Sequence, residues 1–251
     1  MAMHPVYDLL LDRALSAKAV TEVLIGLTWT MCQVENGLGL AMSPGMPTRT
    51  LPWSGTLAGT SVAELAAKIG SWNPYEATIA MAAINAVVNF DNPLLSSATL
   101  ITPANMPANL SVFEWFKPML KDQHTVVVGR YPGLEHYADE IELTVLERQP
   151  GESDLPDPAC EYVLSDADWV FLTASSIVNK TFPRLAALAK NAKLVLMGPT
   201  TPWIKELSEF GVDYLAGIRI EQPDQLRQTI AEGGGTRIFE CGARYCVVSL
   251  E

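Results

Sequence analysis

The segment 173–181 holds the densest group of polar side chains that could bind an anion. It reads Thr-Ala-Ser-Ser-Ile-Val-Asn-Lys-Thr and directly follows the apolar run Trp169–Leu172. Hydroxyl groups, free backbone amides and one ammonium group can together hold a carboxylate or a phosphate. Turn formation and helix capping explain Ser176, Asn179 and Thr181 equally well, but neither needs the charge of Lys180. The candidate ligand-binding residues of this segment are Thr173, Ser175, Ser176, Asn179, Lys180 and Thr181.

A second candidate is the turn at residues 129–133, which reads Gly-Arg-Tyr-Pro-Gly. A dinucleotide-binding turn has the spacing G-x-G-x-x-G, because its backbone amides must approach a pyrophosphate. Here only two glycines are present, and Pro132 removes an amide donor. Ordinary NAD binding is therefore disfavoured. An anion could still meet Arg130, whereas the alternative is a plain connection between strand and helix; Gly129, Arg130 and Pro132 are the candidates.

Two further candidates follow other apolar runs. Glu147 lies at the end of one run, and in nucleotide-binding folds an acid at this place accepts hydrogen bonds from ribose hydroxyls; a solvated carboxylate is the alternative. Gly198, Pro199 and Thr200 follow the run Leu194–Met197 and are expected to form a wall of the same cleft. Thr201 followed by Pro202 is typical of a helix start.

The sequence gives little support to a metal centre or a nucleophile. Its four cysteines are scattered, and no paired Cys or His spacing of a zinc site is present. There is no HExxH run and no G-x-S-x-G turn. We therefore expect structural thiols and no hydrolase; catalytic residues, resident metal and cofactor stay open.

Alternating β-rich runs and helical segments after residue 109 predict βα units on a parallel sheet, which bind ligands beyond the carboxyl ends of their strands. Right-handed crossovers then give a Rossmann-like doubly wound domain at 109–251. The expected strands are 125–129, 142–147, 168–173, 193–198 and 213–217. The expected helices are 133–139, 181–191, 203–210 and 224–232, with a closing hairpin of 236–239 and 245–250.

Residues 1–108 are predicted to form a separate α+β domain. Asn73, Pro74 and Glu76 are typical of a helix start with a capping side chain and a glutamate folded back onto it. Pro93, Pro103 and Pro107 indicate a linker, and Ser111 with Glu114 indicates another capping box. The expected elements are a helix at 5–16, β structure at 21–34 and 38–42 around an Asn36-Gly37 turn, helices at 61–69 and 78–88, the linker at 90–110, and a helix reaching about Lys121.

Composition limits the partners. The chain of 251 residues has a net charge of −11, which disfavours nucleic acids and anionic membrane surfaces. The longest apolar run, 77–88, is too short to cross a bilayer, and no signal peptide is recognised. Scattered cysteines favour reduced thiols and a cytoplasmic protein. A homodimer is expected only from the general frequency of dimers.

Several ordered motifs together carry a family resemblance. They are Ser71-Trp72-Asn73 with Glu76, Ala82–Ala86, Val128–Pro132 with Glu135, Thr173–Thr181, Ala189–Ala192 and Gly198–Pro202. This set resembles the uncharacterised prokaryotic family described as a heavy-metal chelation domain, over nearly the whole chain. The family's motifs fall on Trp72, Asn73, Glu76, Gly129, Pro132, Glu147, Ser175, Asn179, Lys180, Thr181, Gly198 and Pro199.

The resemblance implies an enolase-N-terminal-like domain, a Rossmann-like domain and a ligand cleft between them. Many members have histidine where this chain has Arg130, which weakens a metal role for that turn. If a metal binds, Glu76, Glu135 and Glu147 favour a hard or borderline ion with oxygen ligands.

Three functions remain open. The first is binding of a small anionic metabolite, or of a metal held by such a molecule. The second is an enzyme acting on a nucleotide-like or metal-chelate substrate in cofactor or metallophore metabolism. The third is an interaction module with a relic cleft.

Overall fold

The computed structural model describes residues 3–102 and 107–251. The helices are α1 (Pro5–Arg13), α2 (Val62–Ala66), α3 (Pro74–Val88), α4 (Pro93–Ser97), α5 (Ser111–Leu120), α6 (Cys160–Val163), α7 (Ser175–Val178), α8 (Phe182–Leu188) and α9 (Pro223–Ala231). The strands are β1 (Val20–Ile25), β2 (Trp29–Val34), β3 (Leu38–Met42), β4 (Thr99–Leu100), β5 (His124–Val128), β6 (Glu142–Glu147), β7 (Leu155–Pro156), β8 (Trp169–Thr173), β9 (Lys193–Met197), β10 (Tyr214–Ile220) and β11 (Ala243–Ser249).

The first part of the chain is a small antiparallel sheet with a buried helix against it. Strands β1, β2 and β3 pair in sequence order, and α3 packs on β2 and β3. Gly39 permits this close packing, because a Cβ there would lie 2.2 Å from the Ala82 carbonyl oxygen. The α3 helix is apolar on nearly every side, as expected for a buried helix. The likeness of this part to the enolase N-terminal domain stays a prediction.

The start of α3 agrees with the sequence in one respect and differs in another. Asn73 caps the helix, and its side-chain oxygen accepts hydrogen bonds from the Tyr75 and Glu76 amides. Glu76 does not fold back onto the cap. It accepts hydrogen bonds from Ser71 Oγ at 2.6 Å and from Lys68 Nζ at 2.9 Å. The cap prediction is confirmed, and the prediction of a capping glutamate is wrong because a hydroxyl and a cation compete for that carboxylate.

The second part is an eight-stranded sheet in the order β4-β11-β10-β9-β8-β5-β6-β7. The six strands from β10 to β7 run parallel, and β11 is antiparallel to both of its neighbours, β10 and β4. After β7 the chain crosses back over β5 to form β8, so the direction of winding reverses between β5 and β8. The predicted fold class is confirmed: the protein is a mixed α/β structure with a parallel-dominated sheet and a separate antiparallel sheet.

Both faces of the large sheet are covered. Val126 and Val170 lie in a core with α1, α3, α7 and α8 on one face, while their neighbours Val127 and Phe171 lie in a core with α5 and α9 on the other. Alternate residues of a strand point to opposite faces, so these strands are apolar throughout. Each core thus contains residues from both halves of the chain. Division into domains at residue 108 stays a prediction.

The segment predicted as a linker is partly ordered structure. It contains α4 and also β4, whose residues pair with β11 of the large sheet. Pro103 lies outside the described residues. Ser111 does not form the expected capping box; its hydroxyl donates to the Ala108 carbonyl at 2.8 Å, because a 3-10 turn at Ala108–Leu110 already leads into α5.

Three other local predictions are wrong. The closing hairpin does not form: Thr236–Phe239 is a 3-10 helix, and β11 pairs along β10 instead. Thr201 does not cap a helix, because a 3-10 helix begins only at Lys205 and ends at Phe210. The predicted helix at 133–139 is the 3-10 helix Leu134–Tyr137. Among the residues that the structure describes, no helix is both long and apolar enough to cross a membrane.

Candidate functional site

A cavity of about 1330 Å³ lies beyond the carboxyl ends of β5, β6, β8 and β9. The loop Met42–Pro47 and Trp72 bring the first part of the chain to its opposite wall. The strand ends meet here because the carboxyl ends of parallel strands share one edge of a sheet. The segments near residues 129, 147, 175 and 198 therefore do converge at one rim.

The structure brings most of the candidate residues to this cavity and leaves two away from it. Asn73 caps α3, and Glu76 is held by Ser71 and Lys68, so neither lines the cavity. A role in ligand binding stays a prediction for the others. The candidates that line the cavity are Trp72, Gly129, Arg130, Pro132, Glu147, Thr173, Ser175, Ser176, Asn179, Lys180, Thr181, Gly198, Pro199 and Thr200.

Two glycines shape the rim by backbone conformation. Gly129 and Gly198 have φ values of 96° and 108°, in the region that L side chains rarely adopt. A Cβ at Gly129 would also lie 2.9 Å from Thr173 Cγ2, and one at Gly198 would lie 3.3 Å from the Tyr131 hydroxyl. Both turns therefore need glycine, which lets the Thr173 side chain approach the backbone at Gly129 and the Tyr131 side chain approach it at Gly198.

Arg130 is held by acidic residues and is not free to meet a ligand by itself. Its guanidinium lies 2.6 Å from Asp154 Oδ1 and 3.4 Å from Glu135 Oε2. The Asp154 side chain is only 1% exposed. Burial alone would raise the Asp154 pKa, but the Gly151 amide and the Arg130 guanidinium outweigh burial and hold that pKa below its usual value. Arg130 thus balances the negative charge of the buried Asp154 carboxylate beside the turn at residues 129–133.

Replacing Arg130 with methionine is expected to lower the free energy of unfolding at pH 7, because the Asp154 carboxylate loses its cationic partner. Wild-type Asp154 has a lowered pKa, so its stabilising effect is present above the ordinary carboxyl pKa and is lost as pH falls. In the variant, burial raises that pKa. The difference between the two proteins should therefore shrink as the pH falls in urea unfolding. Arg148→Met is the matched control, since its pair with Asp157 is exposed, and an equal loss in both variants would contradict the prediction.

Glu147 fixes the backbone around the first turn. Its carboxylate accepts hydrogen bonds from the Arg130 amide at 2.7 Å, the Arg148 amide at 2.7 Å and the Gln149 amide at 3.2 Å. A ribose hydroxyl would compete with these amides for the same oxygens. The main role of Glu147 in this structure is to hold the loop after β5 against the loop after β6.

The segment 173–181 combines turn formation with polar groups that face the cavity. Asn179 Oδ1 accepts hydrogen bonds from the Thr181 amide at 3.0 Å and hydroxyl at 2.7 Å, which is the turn role expected for these residues. Thr173 and Ser175 share a hydroxyl–hydroxyl bond of 3.0 Å. Ser176 Oγ is buried without a hydrogen-bond partner among the described residues.

Lys180 differs from the other cations that line the cavity. Arg130, Arg148 and Arg184 each pair with a carboxylate, whereas no ion pair of Lys180 occurs within residues 3–102 and 107–251. Its Nζ donates to the Ser71 carbonyl at 2.6 Å and the Val178 carbonyl at 2.8 Å, and lies 6.0 Å from the Trp72 ring centroid. Burial lowers the Lys180 pKa to about 8. Its φ of 68° is also uncommon for a residue other than glycine.

Thr200 joins the two parts of the chain beside the cavity. Its hydroxyl oxygen accepts from the Met42 amide at 2.9 Å, and its carbonyl accepts from Asn85 Nδ2 at 2.9 Å. The same Asn85 amide group donates to the Leu40 carbonyl at 2.8 Å. The loop after β9 is therefore anchored on β3 and α3.

The sequence did not indicate most of the cavity wall that the first part of the chain forms, nor several aromatic side chains that line the cavity. The loop Met42–Pro47 was visible only as a Pro- and Gly-containing stretch without charged groups. Arg148 stands next to the predicted Glu147, which was the available signal for it. The missed lining residues include Trp29, Ser43, Met46, Thr78, Asn109, Tyr131, Arg148, Asp157, Arg184, Phe239 and Tyr245.

Comparison with protein families identifies the chain. The DUF364 model matches residues 111–249 and the DUF4213 model matches residues 7–88, and both are described as "Putative heavy-metal chelation". The chain belongs to the DUF364 family.

Solved DUF364 structures share the fold over the whole chain. A crystal structure of a protein of unknown function from Desulfitobacterium hafniense has a TM-score of 0.83 at 30% identity, covering 98% of this chain and 97% of that one. Another, from Pyrococcus horikoshii, has a TM-score of 0.78 at 24% identity, covering 97% and 98%, and shows the fold alone. An uncharacterized protein of Methanocaldococcus jannaschii is 28% identical over 120 residues, which span 45% of this chain and 46% of that protein.

The side chains do not fit the direct metal chelation in the DUF364 description. No group of three or more His, Cys, Asp or Glu side chains suited to a metal occurs among the described residues. The carboxylates of Glu76, Glu135 and Glu147 have separate partners, so the expected oxygen-ligand set does not assemble. Burial raises the pKa of the Cys32 thiol to about 12 and of the Cys160 thiol to about 11, which disfavours the thiolate that a soft metal needs.

Proposed function

We propose that the cavity binds a small anionic metabolite, or a metal ion already held by such a molecule. The observation that carries this proposal is Lys180, a cation facing the cavity without an acidic partner among the described residues. An anion entering the cavity would supply that partner. The partly exposed Ser175 hydroxyl lies on the same wall and can supply a neutral hydrogen bond.

The shape of the cavity supports a ligand of metabolite size. Its volume of about 1330 Å³ exceeds the range of roughly 300–1,000 Å³ common for small-molecule sites, so a ligand would share it with water. Trp72 is 78% exposed at the rim and presents a flat aromatic surface. The Trp72 face can stack against a planar apolar part of a ligand, while the nearby Lys180 attracts its negative charge.

A metal would enter this site as part of its ligand. The protein offers hydroxyls, amides and one lysine at the cavity, and these groups recognise an anionic chelate better than they coordinate a bare ion. Calorimetric titration should therefore give heat with an anionic complex, such as iron(III) citrate or nickel(II) citrate, and none with nickel or zinc chloride. Heat from the bare chlorides alone would contradict the proposal.

Lys180→Met is expected to weaken the binding of citrate or its metal complex at least tenfold, about 1.4 kcal/mol. Lys190→Met is the matched control, because Lys190 is exposed and does not line the cavity. Titration calorimetry measures both affinities. Unfolding midpoints of the two unliganded variants show whether a loss comes from the site or from the fold. Equal affinities in both variants would place the anion elsewhere.

A second candidate function is an enzyme acting on a nucleotide-like substrate. The reversal of winding between β5 and β8 favours it, because doubly wound sheets bind nucleotides at that point, and Glu147 ends the adjacent strand. Thermal-shift measurements with AMP and S-adenosylmethionine test it, since a ligand of the native state raises the midpoint. A midpoint increase that survives in Glu147→Gln would argue against a ribose role for that carboxylate.

We infer that the protein acts in the cytoplasm, which the free state of all four cysteines supports. A homodimer stays a prediction, for which light scattering coupled to gel filtration is the test.

A further inference from the structure

We propose that Lys180 is a nucleophilic amine that condenses with an aldehyde or keto group of the ligand. The inference rests on the proposed function, because the same cavity must admit the ligand. It narrows the ligand class to small anionic molecules that also carry a reactive carbonyl, such as 2-oxo acids.

The hydrogen bonds of Lys180 can be made by a neutral amine as well as by an ammonium group. An ammonium group has three N–H donors and no lone pair, whereas a neutral amine has two donors and one lone pair. Nζ has two carbonyl acceptors, Ser71 O at 2.6 Å and Val178 O at 2.8 Å. Both N–H groups of the amine are then satisfied, and the lone pair is left for a group in the cavity.

Burial without an acidic partner favours the neutral state of Nζ, since no carboxylate within the described ranges forms an ion pair with it. The two carbonyl oxygens and the Trp72 ring stabilise the ammonium form, so both states are accommodated at this place. Burial lowers the Lys180 pKa to about 8, so both protonation states are populated near neutral pH. The ammonium form can attract an anionic ligand, and the amine form can attack its carbonyl group.

The backbone keeps Lys180 in this place despite its cost. A φ of 68° puts a non-glycine residue in the left-handed region. Such conformations persist where neighbouring structure determines them and are frequent at functional sites. The turn is fixed on one side by Asn179 Oδ1, which binds Thr181, and on the other by α7.

The covalent step balances without a further reagent. The Nζ lone pair forms a bond to the carbonyl carbon, and the π electrons of that carbonyl move to its oxygen. This oxygen then leaves as water with the two protons that Nζ carried, and a C=N double bond remains. The imine is an electron acceptor for a later step on the ligand.

Reductive trapping with the smallest 2-oxo acid tests the proposal. Full-length protein is incubated with glyoxylate and sodium cyanoborohydride at pH 7.5, and the modified lysines are mapped by peptide mass spectrometry. An amine with a pKa of about 8 is roughly one quarter neutral at this pH, against about 0.1% for an ordinary lysine. Lys180 should therefore be labelled at least tenfold faster than Lys190.

Lys180→Arg serves as the control variant, because arginine can still donate to both carbonyls but forms no imine under these conditions. The preferential adduct should disappear in Lys180→Arg, and its loss should leave the labelling of Lys190 unchanged. Labelling of Lys180 no faster than Lys190 in folded wild-type protein would overturn the proposal.

Citrate titration of the same samples separates this proposal from the proposed function. Citrate binding without rapid labelling of Lys180 would overturn only the reactive amine. Rapid labelling of Lys180 without heat from citrate or its metal complexes would uphold the reactive amine and contradict the proposed binding of such chelates.

Discussion

Gly39→Ala is expected to lower the free energy of unfolding by at least ~3 kcal/mol, at the upper end of overpacking effects. A Cβ at this position would lie 2.2 Å from both the Ala82 carbonyl oxygen and the Ala86 amide nitrogen. Both atoms belong to the backbone of α3, so no side-chain rotation can relieve the contact. The helix would have to move away from β3.

Movement of α3 would also disturb the cavity, because the same helix carries Asn85 and Thr78. Urea unfolding measures the loss of stability. Gly211→Ala is the control: Gly211 has a φ of 87° but no atom within 4 Å of its added Cβ, so it should cost only about 1 kcal/mol from backbone strain. If Gly39→Ala lowers the free energy of unfolding no more than Gly211→Ala does, α3 can move away from β3 without a large loss of stability.

Asn85→Ala is expected to cost roughly 3 kcal/mol, because two buried carbonyl groups lose their donor. Asn85 is fully buried, and its amide donates to Leu40 O at 2.8 Å and to Thr200 O at 2.9 Å. These bonds hold β3 and the loop after β9 together at the edge of the cavity. The variant should therefore lose both stability and the fixed position of the Thr200 loop.

Hydrogen exchange distinguishes the two effects of Asn85→Ala. The Met42 amide donates to the Thr200 hydroxyl oxygen at 2.9 Å, so its exchange should accelerate more than the loss of global stability accounts for. Asn191→Ala, at an exposed turn, is the control and should change neither quantity. Unchanged protection of Met42 in Asn85→Ala would mean that other contacts hold the Thr200 loop.

The sequence was most informative where one geometric rule applies. Gly129, Glu147, Ser175 and Gly198 each follow an apolar strand, and parallel strands place their carboxyl ends at one sheet edge. Their convergence therefore followed from the order of strands and helices. The cap at Asn73 could be predicted because it depends on adjacent residues. The role of Glu76 could not, because its carboxylate pairs with the Lys68 side chain instead of the helix start.

The parts that sequence reasoning missed depend on contacts between distant segments. The terminal residues have a hairpin pattern, but β10 offers β11 a longer pairing, with seven residue pairs from Tyr214↔Ser249 to Ile220↔Ala243. The strand β4 has two residues and no pattern of its own. The loop Met42–Pro47 has no charged side chain that would indicate a binding role in the sequence. Its place at the cavity depends on the contact between the end of β3 and Thr200.

The most direct measurement is a crystal structure with the anion that gives the largest calorimetric heat. The ligand should lie between Lys180, Trp72 and the turn at Gly198, with its anionic group within hydrogen-bond distance of Lys180 Nζ or the Ser175 hydroxyl. Full occupancy of the ligand at another surface, with only water in this cavity, would contradict the proposed binding site.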